Sequence, residues 1–294
     1  MRHRLLAATL LVVAVGGSGC GERSEPTGEL AQTYPVVVRG AGDQPTVAAK
    51  APERIVALDP GSAELIAALG ARQKLVGVPA GVDVDATEVV NEIGRVNVDA
   101  VVRLEPDLVV GTPSTDPLDL TRAARESGAI VYVQPAGSVE DVQRAALELG
   151  FVLGSAPEAR RLVADIRSGT SAIENKVADQ PLVPAFVDTG FLITIGDRSL
   201  TGDLVRRARG RNVVGPNPGA EPFQPCEVAR LGARVVLVVA EARQRTPREE
   251  FDACPGAPRL RLAKLDAALV LRAGPNLPQA LEAVARALHP NAFR

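Results

Sequence analysis

The sequence predicts an α/β protein of two lobes with mainly parallel sheets, joined by one long rigid α-helix. Three observations carry this. Strand–turn–helix units recur on both sides of the middle of the 294-residue chain, and strands that alternate with helices imply a parallel sheet covered on both faces. Between the two sets, Ser155 to Ala178 reads as one amphipathic helix. Two segments, Asp99-AVVRLEP-Asp107-LVV and Cys226-EVARLGA-Arg234-VVLV, can be laid over each other, each as short helix, turn, strand.

The elements follow in order. Residues 1–19 form a leader: Arg2 and Arg4 precede an apolar run, Leu5 to Val15, that is too short to span a bilayer. Residues 20–50 read as a tether rich in Gly, Pro, Thr and Glu, with a possible edge strand at Tyr34 to Arg39. Residues 51–154 form the first lobe, with strands at Arg54–Leu58, Leu75–Val78, Asp107–Val110 and Ala129–Val133 and helices at Ala63–Leu69, Asn97–Leu104, Leu118–Ser127 and Ser138–Leu153. Residues 155–178 are the connecting helix. Ser155 and Glu158 have the spacing of a capping box, Pro157 sits in the first turn, and Ser168-Gly169-Thr170 is the weak point where the strut could bend.

Residues 179–294 form the second lobe, with strands at Val183–Val187 and Val235–Ala240, a hairpin arm at Leu192–Ile195, and helices at Leu200–Ala208, Cys226–Leu231 and Pro247–Ala253 before the last one. Loops at the C-terminal strand ends of such sheets converge on one edge, where ligands bind, and small-molecule sites favour inter-domain crevices. The expected cleft takes Asp59, Ser62, Thr112, Ser114 and Gln134 from the first lobe. From the second it takes Phe191, Arg198, Phe223, Gln224, Arg243 and Arg272, the arginines being suited to carboxylate or hydroxamate oxygens.

Composition narrows the function. The formal net charge is −2 and no basic block occurs, so nucleic acid is not an expected partner. The only histidine past the leader is His289, and Ser62 and Ser114 lack a nucleophile elbow or a second base, so no enzyme and no catalytic residue is expected. Asp83, Asp85 and Glu88 read as a solvated loop. With so few His, Met and Cys ligands, neither a resident metal site nor a cofactor is expected. Aromatic residues are 3% of the chain and Trp is absent, which makes a pocket of stacked rings less natural. Cys226 and Cys254 can pair, as two cysteines of an exported protein often do.

APERIVALDPGSAELIAALGARQKLVGV and NVDAVVRLEPDLVVGT resemble the first lobe of the substrate-binding proteins of ABC importers for ferric siderophores, haem and cobalamin. The likeness runs from about residue 35 to 293. It includes Gly210-Arg211-Asn212-Val213, where Arg211 displaces one residue of the pattern, and Leu271 to Asn276, where Asn276 replaces the usual Arg. The resemblance implies two Rossmann-like lobes, a small-molecule ligand held between them, and delivery to an ABC permease in the membrane by a monomer. The ligand it implies first is a ferric siderophore or related iron complex. The alternatives are a cobalamin, other corrinoid or cofactor-precursor receptor, or a surface interaction or sensor lipoprotein that has lost transport. It also implies that an acidic residue at the start of a helix in each lobe docks on permease arginines. Asp99 fits the first position; at strict spacing the second holds Cys226, with Glu227 one residue later. Gly-Gly-Ser-Gly before Cys20 resembles a lipobox, with Gly17 where Leu is usual. That likeness implies lipidation of Cys20 and anchoring of an exported protein to the outer face of the cell membrane.

Overall fold

The computed structural model describes residues 32–43, 45–90, 95–115, 117–216, 219, 221–239, 242–255 and 259–294. The leader and Cys20 lie outside the described residues. The first element is a hairpin of β1 (Val36–Arg39) and β2 (Pro45–Ala48), antiparallel in the register Val36 to Ala48. It is fastened to the first lobe by Thr46 Oγ1, which donates to the Val131 carbonyl at 2.6 Å.

The first lobe runs β3 (Ile55–Ala57), α1 (Pro60–Ile66), β4 (Leu75–Pro79), β5 (Thr87–Val90), α2 (Val98–Arg103), β6 (Leu108–Gly111), α3 (Pro117–Ser127), β7 (Ile130–Val133) and α4 (Val139–Leu153). Its five strands are parallel in the order β5-β4-β3-β6-β7. Alternate residues of the central strands face opposite layers, as strand geometry dictates. Ile55, Ala57, Leu108 and Val110 pack on α1 and α4, whereas Val56 and Val109 pack on α2 and α3. Tyr132 is fully buried in β7 and its hydroxyl donates to Glu148.

After the connecting helix α5 (Ala156–Val177) the second lobe runs β8 (Val183–Asp188), α6 (Leu200–Arg207), β9 (Gly210–Asn212), α7 (Pro225–Arg230), β10 (Val235–Val238), α8 (Arg248–Asp252), β11 (Arg261–Lys264), α9 (Ala267–Val270) and α10 (Leu277–Leu288). The sheet order is β11-β10-β8-β9, again parallel. Helix α5 serves both lobes: Ala159 and Val163 belong to the first core, Ile166 and Val177 to the second. Helix α4 does the same in reverse, with Ala145 and Leu149 in the first core and Val139 and Val142 in the second. The one connecting helix is therefore braced along its length by α4. The bracing is reinforced where buried Asp203 of α6 accepts the Val139 N–H at 3.0 Å and pairs with Arg207, which also reaches Glu140 and Glu174.

Three local expectations are corrected. The Ser155–Glu158 capping box does not form: the Ser155 N–H closes α4 on the Gly150 carbonyl at 2.8 Å, its hydroxyl is buried without a partner, and Glu158 pairs with Arg161. Gly154, at φ 74°, makes the left-handed turn that brings α5 back on α4. Helix α5 runs unbroken through Gly169, because that glycine is a contact point: a Cβ there would lie 2.7 Å from Pro278 of α10. Leu192–Ile195 is not a hairpin arm. Only Gly190 and Ile193 bridge, since Phe191 and Leu192 adopt left-handed backbone with φ of 53° and 57°. The fold also adds strands β2, β5, β9 and β11, which the hydrophobic pattern did not mark.

Candidate functional site

A cleft of about 710 Å³ opens between the lobes where the strand ends meet. Asp59 is extended at φ −140°, caps α1, and accepts the Ser62 N–H on Oδ1 at 2.9 Å. Its Oδ2 contacts the Ser62 hydroxyl, Ser62 Oγ lies 2.8 Å from Gln134 Oε1, and Gln134 Nε2 donates to the Ala273 carbonyl of the second lobe at 2.6 Å. Burial pushes the Asp59 carboxyl up, the Ser62 and Gly61 hydrogen bonds oppose that, and the nearby Glu64 charge adds to the rise. At Gly61 a Cβ would stand 2.8–2.9 Å from the Ala273 backbone, so a glycine is what lets the lobes approach here. Beside it Arg272 reaches across to Glu64 of α1 at 2.5 Å.

Asp59, Thr112, Ser114, Arg198 and Arg272 line this cleft together, and Thr112 Oγ1 and Ser114 Oγ share a hydrogen bond at 2.8 Å. Ser62 and Gln134 are wholly buried beneath Asp59 and hold the floor from below. The structure does not bring Phe191, Phe223, Gln224 or Arg243 to the cleft lining. Phe191 is 59% exposed on its turn, with its N–H donated to the Gln244 carbonyl. Phe223 packs edge-on against Phe186, ring centres 5.4 Å apart, in a separate apolar cluster with residues of α7 and α8. Gln224 precedes α7 and is exposed, as is Arg243.

The lining that sequence reasoning missed is mostly small or aliphatic: Ala136, Gly137, Ile195, Leu271 and the first turn of α6. Only the last had a local signal, Ser199 followed by Asp203. The Ser199 hydroxyl caps α6 by accepting the Gly202 N–H at 3.0 Å. His289 lies elsewhere, buried at the end of α10 with its Nε2 3.0 Å from the Ala208 carbonyl; burial pushes its pKa down, against the backbone hydrogen bonds.

Helices α2 and α7 are both six residues long, and their N-caps, Asn97 and Gln224, lie two residues before Asp99 and Cys226. The turns are therefore the same length, and Cys226, not Glu227, occupies the place of Asp99. Cys226 is joined to Cys254 in a disulfide. Asp99 and Glu227 are both exposed, and Glu227 Oε2 accepts the Gln224 N–H at 3.4 Å.

Comparison with known proteins gives concordant results. The model of a family described as periplasmic binding protein matches residues 55–251. An uncharacterized ABC transporter substrate-binding lipoprotein of Bacillus subtilis (strain 168), YvrC, is 24% identical over 98% of this chain and 97% of its own length. A cobalamin-binding protein of Halobacterium salinarum is 26% identical over 72% of this chain and 62% of its own. Among solved structures, the periplasmic vitamin B12 binding protein BtuF of Vibrio cholerae superposes with a TM-score of 0.71, 18% identity, and coverage of 83% of this chain and 98% of that one. A periplasmic heme binding protein from Pseudomonas aeruginosa gives 0.69, with 23% identity over 82% and 94% of the two chains.

Proposed function

We infer the activity from two facts together: the chain belongs to the periplasmic binding protein family, and its lobes enclose a cleft lined from both sides. It is a substrate-binding protein of the ABC importer type, a class that binds a small molecule and works with a membrane permease. The ligand proposed is a corrinoid. The names of the cobalamin- and B12-binding relatives support this, as does a floor of hydroxyl and carboxyl groups able to hydrogen-bond amide side chains on a macrocycle. A ferric siderophore is the second reading, favoured by Arg198 and Arg272 in the lining, since guanidinium groups pair well with anionic oxygens.

Docking through Asp99, with Glu227 as a weaker second contact, is part of the proposal. So are lipidation at Cys20, anchoring at the outer face of the membrane, and a monomeric state. The lipoprotein relative supports the anchor, and among the described residues no helix is long and apolar enough to cross a membrane. A thermal-shift panel of cyanocobalamin, haemin and a ferric hydroxamate tests the ligand. At 100 times Kd a true ligand stabilises the fold by about 2.7 kcal/mol. A shift with cyanocobalamin alone selects the first reading, a shift with the hydroxamate alone the second, and no shift with any of the three rejects both.

A further inference from the structure

The Ser62 hydroxyl has one proton and two acceptors in reach, Asp59 Oδ2 and Gln134 Oε1. The Gln134 amide cannot be turned round. Its other end lies 2.6 Å from the Ala273 carbonyl oxygen, which only accepts, so Nε2 must face Ala273 and Oε1 must face Ser62. A carbonyl oxygen only accepts as well, so Ser62 donates to Gln134. The remaining contact, between Asp59 Oδ2 and Ser62 Oγ, then requires its proton on Asp59. Every donor in the chain points the same way, from Asp59 to Ser62 to Gln134 to the backbone of the opposite lobe. Asp59 Oδ1, accepting the Ser62 N–H at 2.9 Å, serves as the carbonyl oxygen of the acid.

We propose that Asp59 is a protonated carboxylic acid in the folded protein and that Gln134, by taking the Ser62 proton, is the positioning residue that keeps it so. The cleft floor is then neutral, and Arg198 and Arg272 are the only charged groups among the residues lining it. Glu64, on the same helix, disfavours ionisation of Asp59. Across the cleft Arg272 is engaged by Glu64, Arg198 stands before α6, and the loop after β6 offers only the hydroxyls of Thr112 and Ser114. Burial of the Asp59 carboxyl acts in the same direction. This deepens the ligand reading, on which it rests only for what a ligand meets: a neutral floor accepts a neutral or anionic molecule and offers no carboxylate to a bare cation.

The test is a carbon-13 titration of the aspartate carboxyls in the intact protein, with the Asp59 signal assigned by its loss in Asp59→Asn. No ligand is added, so failure to bind cyanocobalamin and failure of this proposal are separate results. The expected midpoint lies well above the ordinary carboxylate range and drops by about one pH unit in Gln134→Leu, where Ser62 is released to donate to Asp59. Ser62→Ala provides a second arm in which the midpoint falls or stays. An ordinary midpoint in the wild type, an unchanged one in Gln134→Leu, or a rise in Ser62→Ala overturns the proposal.

Discussion

Asp59 and Asp188 stand at corresponding places, at the end of the first strand of each sheet, yet the chain uses them differently. After Asp59 comes Pro-Gly-Ser, and the carboxyl caps a helix at the cleft. After Asp188 comes Thr-Gly-Phe-Leu, and Oδ1 instead clasps an irregular turn by accepting the N–H groups of Gly190 and Leu192 at 2.9 and 3.0 Å. Burial pushes both carboxyls up. Both accept backbone N–H groups that favour the ionised form, but Asp59 also meets a hydroxyl whose own proton is given elsewhere, a partner Asp188 lacks among the described residues. The strand end sets where the acid stands; the next four residues decide whether it serves a site or a turn.

The largest effect that separates the two is on stability. Asp188→Ala leaves two buried N–H groups unpaired beside two left-handed residues and is expected to cost about 3 kcal/mol in urea unfolding. Asp59→Asn keeps a donor and an acceptor in place and should cost no stability, staying within about 0.5 kcal/mol of the wild type at acid pH, below the ordinary carboxylate range. Equal losses would erase the distinction. Next, Gly61→Ala drives a methyl group into the Ala273 backbone and should cost about 2 kcal/mol, measured the same way, together with much of the ligand-induced thermal shift.

A smaller effect is on pH dependence. Since the Asp59 carboxyl is raised on folding, the folded protein holds a proton that the unfolded chain releases above the ordinary carboxylate range. Its stabilising contribution is fully present below that range and is lost as pH rises toward the folded value. Subtracting the wild-type stability from that of Asp59→Asn should give a difference that grows in the variant's favour with pH; a flat difference contradicts a raised Asp59. The smallest effect on stability is at the docking helices. Asp99→Ala is exposed and should be neutral within about 0.5 kcal/mol, yet lower the stimulation of permease ATPase in liposomes, with Glu227→Ala lowering it less. Unchanged stimulation in both variants argues for the sensor alternative.

The pattern of apolar runs was enough to place the central strands, such as Val235–Val238, because these are buried on both faces, and the long helix, because one apolar stripe of it is buried against both lobes. The elements it did not reveal sit at edges. β11, Arg-Leu-Ala-Lys, pairs on one side only and keeps its charges, β2 starts at a proline, and β5 lies at the margin of its sheet. The cleft was legible where a loop carried a polar residue after a strand, as at Asp59, Thr112 and Ser114. It was not legible where the wall is Gly, Ala or Leu, which look like any packed surface. Phe223 misled for a physical reason: in a chain without Trp, a loop phenylalanine is worth more to the apolar cluster beneath α7 and α8 than to a ligand.

Absence of tryptophan also makes the central claim directly measurable. Leu271 lines the cleft and is 45% exposed, so Leu271→Trp places a single fluorophore at its rim without disturbing the polar floor. Titration with cyanocobalamin should quench that emission saturably, with the same midpoint as the thermal shift of the wild-type protein. Quenching by cyanocobalamin, haemin and a ferric hydroxamate that is in every case no greater than for free tryptophan would contradict a ligand site between the lobes.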